Sequence, residues 1–306
     1  MRKILIASLF LAAALCGPRA TASQWILVDD NTGHVLAASG QNEKRQIASL
    51  TKIATAMVVL DWAQATGASL ANLVSVPPAV AGVGGMNPCG LQPGDRISLR
   101  DLLYSAMMSS DNHAAYTLAW NVGSKLPSAQ GLSPVDNFTA QMNALARKLG
   151  MKRTVFLNPH GLDNMENPPH STAADLARLT RYAYSHAGFN FYVSQPTREI
   201  SIEGMDGTTR GFLLRNTNEL LGRDGIEGVK TGRTARAGDC IVLAADRPPE
   251  AVEKDGQKIA IPRRVIAVLL GSTDRFNEGL ALIQRGWSLH EQWSAEGRPV
   301  SKRTAL

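Results

Sequence analysis

Ser49-Leu50-Thr51-Lys52-Ile53-Ala54-Thr55-Ala56-Met57-Val58-Val59-Leu60 is a short polar turn that runs into an apolar segment. Lys52, Ile53, Ala56, Met57, Val59, Leu60 and Ala63 follow helical spacing, and Gly67 ends the run. Ser49 and Lys52 are three apart, which on a helix places them on one face within side-chain reach. A serine in the first turn also lies near the helix's unpaired N–H groups and positive end, which favour developing negative charge. A neutral Lys52 can take the hydroxyl proton. Its ordinary pKa is about 10.4, and bringing it near 8 takes roughly 3 kcal/mol, which burial and a second nearby cation can supply. On its own such a pair is common and reads as a solvated helix face.

Two further motifs change that reading. Ser98-Leu99-Arg100-Asp101 has the form of a capping box before an apolar run from 102 to 108, and Ser110-Asp111-Asn112 follows at the entrance of another helix over 113–120. N-capping accounts for such residues structurally. Lys230-Thr231-Gly232 is expected on an edge strand, where Gly232 lets a peptide backbone approach and pair as an added strand. Lys230 is the candidate second cation for Lys52. Together the motifs supply a serine nucleophile, two proton carriers, an amide and a strand edge. These are parts for acyl transfer through a serine ester.

Working outward, 25–29 and 34–38 are β-branched, apolar runs around Asn31-Thr32-Gly33, a β-hairpin. Residues 73–98 are punctuated by Pro and Gly and read as loop and short strand. Helices are expected over 136–149, stopped by Gly150, over 173–186 behind Ser171-Thr172, and over 277–292. Strand patterns return at 239–245 and 265–270, separated by Arg247-Pro248-Pro249 and a polar stretch that reads as a long exposed connection. The economical fold is α/β of the α+β type. One mostly antiparallel sheet is built from both chain ends and flanked by helices, with a helical insert over about 70–165 and a loose tail over 295–306.

Met1-Arg2-Lys3, an apolar run from Ile4 to Cys16, and Ala20-Thr21-Ala22 have the layout of a cleavable export signal, with cleavage expected after Ala22. The remaining 23–294 is expected to be one catalytic domain. Residues 1–22 carry three cations and no acids, so their removal takes the formal charge from +6 to +3. No basic cluster reads as a nucleic-acid groove, and no closing polybasic amphipathic stretch reads as a membrane anchor. Cys89 and Cys240 then remain, and one bridge between them is open in an oxidising compartment. No His/Cys cluster has metal-site spacing, and no cofactor is expected.

The chain resembles the low-molecular-mass penicillin-binding proteins, the D-alanyl-D-alanine carboxypeptidase family of serine peptidases. The resemblance rests on the three motifs, on Asn158-Pro159-His160-Gly161-Leu162-Asp163, on Ser171-Thr172-Ala173-Ala174-Asp175-Leu176, and on Gly228 to Gly238, and it spans about 24–290. It implies a β-lactamase/DD-peptidase-like fold. It implies Ser49 as nucleophile, Lys52 as proton acceptor and Ser110 as proton relay, with Asn112, Lys230, Thr231, Gly232, Arg233 and Arg275 binding substrate. The oxyanion hole would be the N–H groups of Ser49 and Arg233, and Thr231 and Arg275 would receive a substrate carboxylate. His160 reads as structural. The implied activity removes the terminal D-alanine of peptidoglycan stem peptides in the periplasm or outside the cell, with β-lactams as covalent inhibitors. Met107-Met108-Ser109-Ser110 and Leu214-Arg215-Asn216-Thr217-Asn218 look like a DD-endopeptidase branch, which keeps that activity as an alternative. A β-lactamase is disfavoured because no Glu has Asn four residues later. A silent binding module is disfavoured because the motif triple is intact.

Overall fold

In chain order the elements are β1 (Gln24–Asp29), β2 (Val35–Ser39), α1 (Lys52–Thr66), β3 (Leu73–Ser75), β4 (Arg96–Ser98), α2 (Leu99–Met108), α3 (Asn112–Gly123), α4 (Pro134–Lys148), α5 (Ala173–Ser185), β5 (Thr197–Glu203), β6 (Thr209–Arg215), β7 (Ile226–Thr234), β8 (Gly238–Lys254), β9 (Gln257–Ser272) and α6 (Arg275–Ala295). The structure is a computed structural model that describes residues 23–127, 131–163, 166–254, 257–301 and 304–306. The expected export signal, 1–22, lies outside the described residues.

The first two and last three strands form one antiparallel sheet in the order β2-β1-β9-β8-β7. Its strands alternate between two buried faces, as the period of two requires. Leu27, Ile241, Leu243, Val265, Ala267 and Leu269 pack on Leu282, Ile283 and Trp287 of α6. Ile26, Val28, Val242, Ala244, Ile266 and Val268 face the larger core that contains α1 and α5. The sheet from both chain ends is therefore as expected.

The helix starts follow their caps. Ser98, Ser133 and Thr172 accept from the backbone N–H of Asp101, Asp136 and Asp175, and Gly67 closes α1 in the left-handed conformation. Every residue of α1 from Lys52 to Leu60 is buried. A helix that is apolar on all sides belongs inside a core, and this decides the chemistry of its first residue.

Three expectations change. A second sheet, β3-β4-β5-β6, exists beside the first. Its β5–β6 hairpin turns at Asp206-Gly207, where Asp206 Oδ1 accepts from Thr208 and Gly207 takes a φ of 78°. Residues 246–254 and 257–264 are not a loose connection. They extend the β8–β9 ladder, with Pro248-Pro249 absorbed in a register shift between Arg247 and Glu250. Prolines survive in a sheet at such irregularities because no ladder N–H is required of them. The tail is docked at its end: Val35 N–H donates to Thr304, Leu306 N–H donates to Gly33, and His34 bridges Ala305. Cys89 and Cys240 are both buried and unbridged, so the open disulfide is not formed.

Candidate active site

Ser49 lies in a single 3-10 turn, Ala48–Thr51, immediately before α1. Lys52 begins the α-helix, so the two keep their spacing across the junction. Lys52 Nζ donates to Ser49 Oγ at 2.9 Å, to Asn112 Oδ1 at 2.7 Å and to the His160 carbonyl at 2.9 Å. All three acceptors are neutral, and the amine is fully buried. Burial therefore pulls its pKa down to about 7, against an opposing pull from the Asp111 carboxylate.

The Asn158–Asp163 segment holds this turn from below. Asn158 Oδ1 accepts from the N–H of His160 and Gly161, and its amide donates to Leu162. Thr55 Oγ1 donates to Pro159. Gly161 has a φ of 89°, and a Cβ there would lie 2.0 Å from the Ala48 carbonyl oxygen. Only glycine allows that approach. Ala48 itself takes a φ of 48°, a conformation that costs a non-glycine residue about 1–2 kcal/mol. Burial, then Lys52 and then His113 push the His160 ring down to about 3, so it is neutral and its Nδ1 accepts from Leu162.

In the second motif the Ser110 backbone is also left-handed, with a φ of 60°. Its hydroxyl has no hydrogen-bond partner among the described residues. Asp111 turns inward: Oδ1 caps Ala114, and Oδ2 accepts from Ser105 Oγ and Cys89 Sγ. Asn112 Oδ1 receives Lys52 while its amide donates to Gly84.

The third motif lies on β7, an edge strand of the large sheet. Gly232 faces the serine turn so closely that a Cβ would sit 3.0 Å from the Ser49 nitrogen. Lys230 is buried with Nζ on the Thr231 carbonyl at 2.9 Å. Burial, then Lys52 and then Arg275 depress its pKa well below the ordinary lysine value. The expected pairing of causes is thus altered. Burial is the leading cause for both lysines, and the like charges of Lys52 and Arg275 add to it at Lys230. Thr231 Oγ1 is 2.7 Å from Thr217 Oγ1, and Thr234 Oγ1 donates to Asp163 at 2.5 Å.

Arg233 projects outward, its side chain 76% exposed. Arg275, at the start of α6, reaches the Gly232 carbonyl at 3.2 Å and Asp239 Oδ1 at 3.1 Å. The structure therefore brings Ser49, Lys52, Asn112, Gly232 and Arg275 together, joined by contacts between them. Lys230 and Thr231 lie on the same strand. Thr217, Gly161, Asp163 and Asp239 were not singled out as site residues from sequence. Gly161 and Asp163 stood inside a recognised segment, but their contacts are long-range.

The profile of the D-alanyl-D-alanine carboxypeptidase family matches residues 12–253, and the chain belongs to that family. It is 33% identical over 282 residues to the D-alanyl-D-alanine carboxypeptidase DacC of Escherichia coli, covering 90% of this chain and 63% of that protein. It is 36% identical over 221 residues to a D-alanyl-D-alanine endopeptidase of Pseudomonas aeruginosa, covering 71% of this chain and 65% of the relative. The chain thus spans under two thirds of the length of these relatives. A Streptomyces DD-transpeptidase crystal structure superposes with a TM-score of 0.73 at 28% identity, over 86% of this chain and 96% of that one.

Proposed function

We propose that this protein is a serine DD-carboxypeptidase that removes the terminal D-alanine from peptidoglycan stem peptides. The contact between Lys52 Nζ and Ser49 Oγ at 2.9 Å, made by an amine that burial brings to about 7, is the observation that supports this most. A lysine poised there accepts a proton at neutral pH.

In this reading Ser49 Oγ attacks the carbonyl of the penultimate D-alanine and Lys52 takes its proton. The N–H groups of Ser49 and Arg233 receive the oxyanion, a contribution of about 3–4 kcal/mol to the transition state. The proton passes through Ser110 to the leaving amine, with Lys230 closing the relay. D-alanine departs, and water, deprotonated by the same lysine, hydrolyses the Ser49 ester. The β7 edge pairs with the peptide backbone, Asn112 and Thr231 orient it, and Arg275 meets the carboxylate of the leaving residue. Penicillins enter by the same attack and stay as esters.

The 1–22 segment would carry the protein across the membrane, giving a periplasmic or secreted enzyme. Among the described residues no helix is long and apolar enough to span a bilayer. The endopeptidase reading is favoured by one feature, the Thr217–Thr231 contact, because Thr217 lies in the segment that resembles that branch.

Mass spectrometry of a pentapeptide stem and a cross-linked dimer, each treated with wild type and Ser49→Ala, tests the proposal. Loss of D-alanine from the pentapeptide by wild type alone is the expected result. Cleavage of the dimer only would replace it with the endopeptidase reading. A penicilloyl adduct on Ser49→Ala would overturn the nucleophile.

A further inference from the structure

Asp239 stands opposite Arg233 in the β7–β8 register. Its Oδ1 lies 3.5 Å from Arg233 Nε and 3.1 Å from Arg275 Nη1. One carboxylate oxygen thus serves two arginines, and it is mostly buried while doing so, with 15% of its side chain exposed. Arg275 is bound on one nitrogen by Asp239 and by the Gly232 carbonyl, next to the turn that carries Ser49. Its Nε is buried and has no acceptor. A cavity of about 550 Å³ opens beside these groups, lined by Arg233, Thr234, Gly238, Asp239, Ser272 and Thr273.

This arrangement bears on the acidic end of the substrate. A carboxylate arriving at Arg275 meets a cation already matched by an internal carboxylate. It also meets the negative charge of Asp239 at close range. The gain from placing a second anion there is smaller than the gain from pairing a free arginine.

We propose that Asp239 is a specificity-determining residue. It supplies Arg275 and Arg233 with an internal carboxylate, so the cleft accepts acyl donors whose leaving residue ends in a neutral amide nearly as well as donors ending in a free carboxylate. This rests on the acyl-transfer reading above and names the class of leaving group that the same site tolerates. Asp239 touches neither Ser49 nor the lysines through any hydrogen bond, so its effect falls on binding and not on the chemical step.

The test compares two synthetic peptides that differ only at the C-terminus, one D-alanyl-D-alanine acid and one D-alanyl-D-alanine amide. Wild type should turn over the two with kcat/KM values within about fivefold, whereas Asp239→Asn should lower KM for the acid by about five- to tenfold and leave KM for the amide and both kcat values unchanged. A wild-type preference for the acid above about 100-fold overturns the proposal without recourse to any variant. An unchanged acid-to-amide ratio in Asp239→Asn, or an equal loss on both peptides, assigns Asp239 a structural role and also overturns it. Turnover of neither peptide by wild type, with no penicilloyl adduct at Ser49, overturns the acyl-transfer reading and this proposal with it.

Discussion

Two regions of this molecule bury ionisable side chains, and they do so in opposite ways. Under α6, Asp29 and His290 are almost fully buried and face each other, with Nε2 3.3 Å from Oδ1. The second Asp29 oxygen accepts from the N–H and hydroxyl of Thr32. Trp287 and Trp293 stand edge-on to the His290 ring. Burial pushes the Asp29 carboxyl up, but His290 and Thr32 pull it down further, and it ends below the usual carboxylate range. In the cleft, Lys52 and Lys230 are buried as deeply, yet every hydrogen-bond acceptor they touch is neutral.

The difference separates structural from reactive burial. A carboxylate held by hydrogen-bond donors, as Asp29 is by His290 and Thr32, is kept in its ionised form. A charge left unmatched is driven toward its neutral form, and a neutral lysine is a base. Bringing Lys52 from 10.5 to about 7 costs about 5 kcal/mol at and below neutral pH, which the rest of the core offsets.

The largest expected effect comes from removing the unmatched amine. Lys52→Met should slow acylation of Ser49 by about a thousandfold or more, read as the rate of penicilloyl adduct formation. Its stability should show the linkage as well. The folded pKa lies below the unfolded one, so the unfolded chain holds the extra proton between about pH 7 and 10.5. Wild-type stability therefore rises with pH across that window. Urea titrations at pH 7 and pH 10 should show wild type gaining several kcal/mol relative to Lys52→Met.

Breaking the matched pair should do the reverse. His290→Ala leaves one oxygen of the buried Asp29 without a donor and should cost about 3 kcal/mol of stability in urea, while acylation changes by less than twofold. For Asp29 the folded pKa is depressed, so its contribution is present above about pH 4 and is lost as pH falls through the folded value. An Asp29→Asn variant should therefore lose stability at pH 7 and show a shallower acid transition than wild type.

A smaller effect is expected where the two regions do not differ in charge. Thr217→Val removes the hydroxyl that meets Thr231 and should raise KM for a pentapeptide about fivefold, with little change in melting temperature.

Much of this contrast was legible in the sequence, but unevenly. The spacing of Ser49 and Lys52 and the apolar run behind them are local, and so are the caps at Ser98 and Thr172. The depression of Lys52 was expected from burial and a second cation. Burial is its leading cause, because the first turns of α1 are enclosed on every side, which a count of apolar residues suggests and only packing establishes. The β5–β6 hairpin had a readable signal in Asp206-Gly207 between alternating segments. The extended β8–β9 ladder did not, because Pro248-Pro249 reads as a break until the register shift is seen. The Gly161 approach to Ala48, the Thr217–Thr231 contact and the Asp239 bridge to Arg275 join residues far apart in the chain. No local pattern announces such pairs.

We propose that an unmatched, buried Lys52 is the base that activates Ser49. The most direct measurement is the rate constant for Ser49 acylation by a penicillin in single-turnover experiments between pH 5 and pH 9.5. A Lys52 base gives a rate that rises about tenfold per pH unit below about 7 and levels off above it, with the inflection absent in Lys52→Met. An inflection above pH 9, the ordinary lysine range, or a rate that does not change with pH would contradict it.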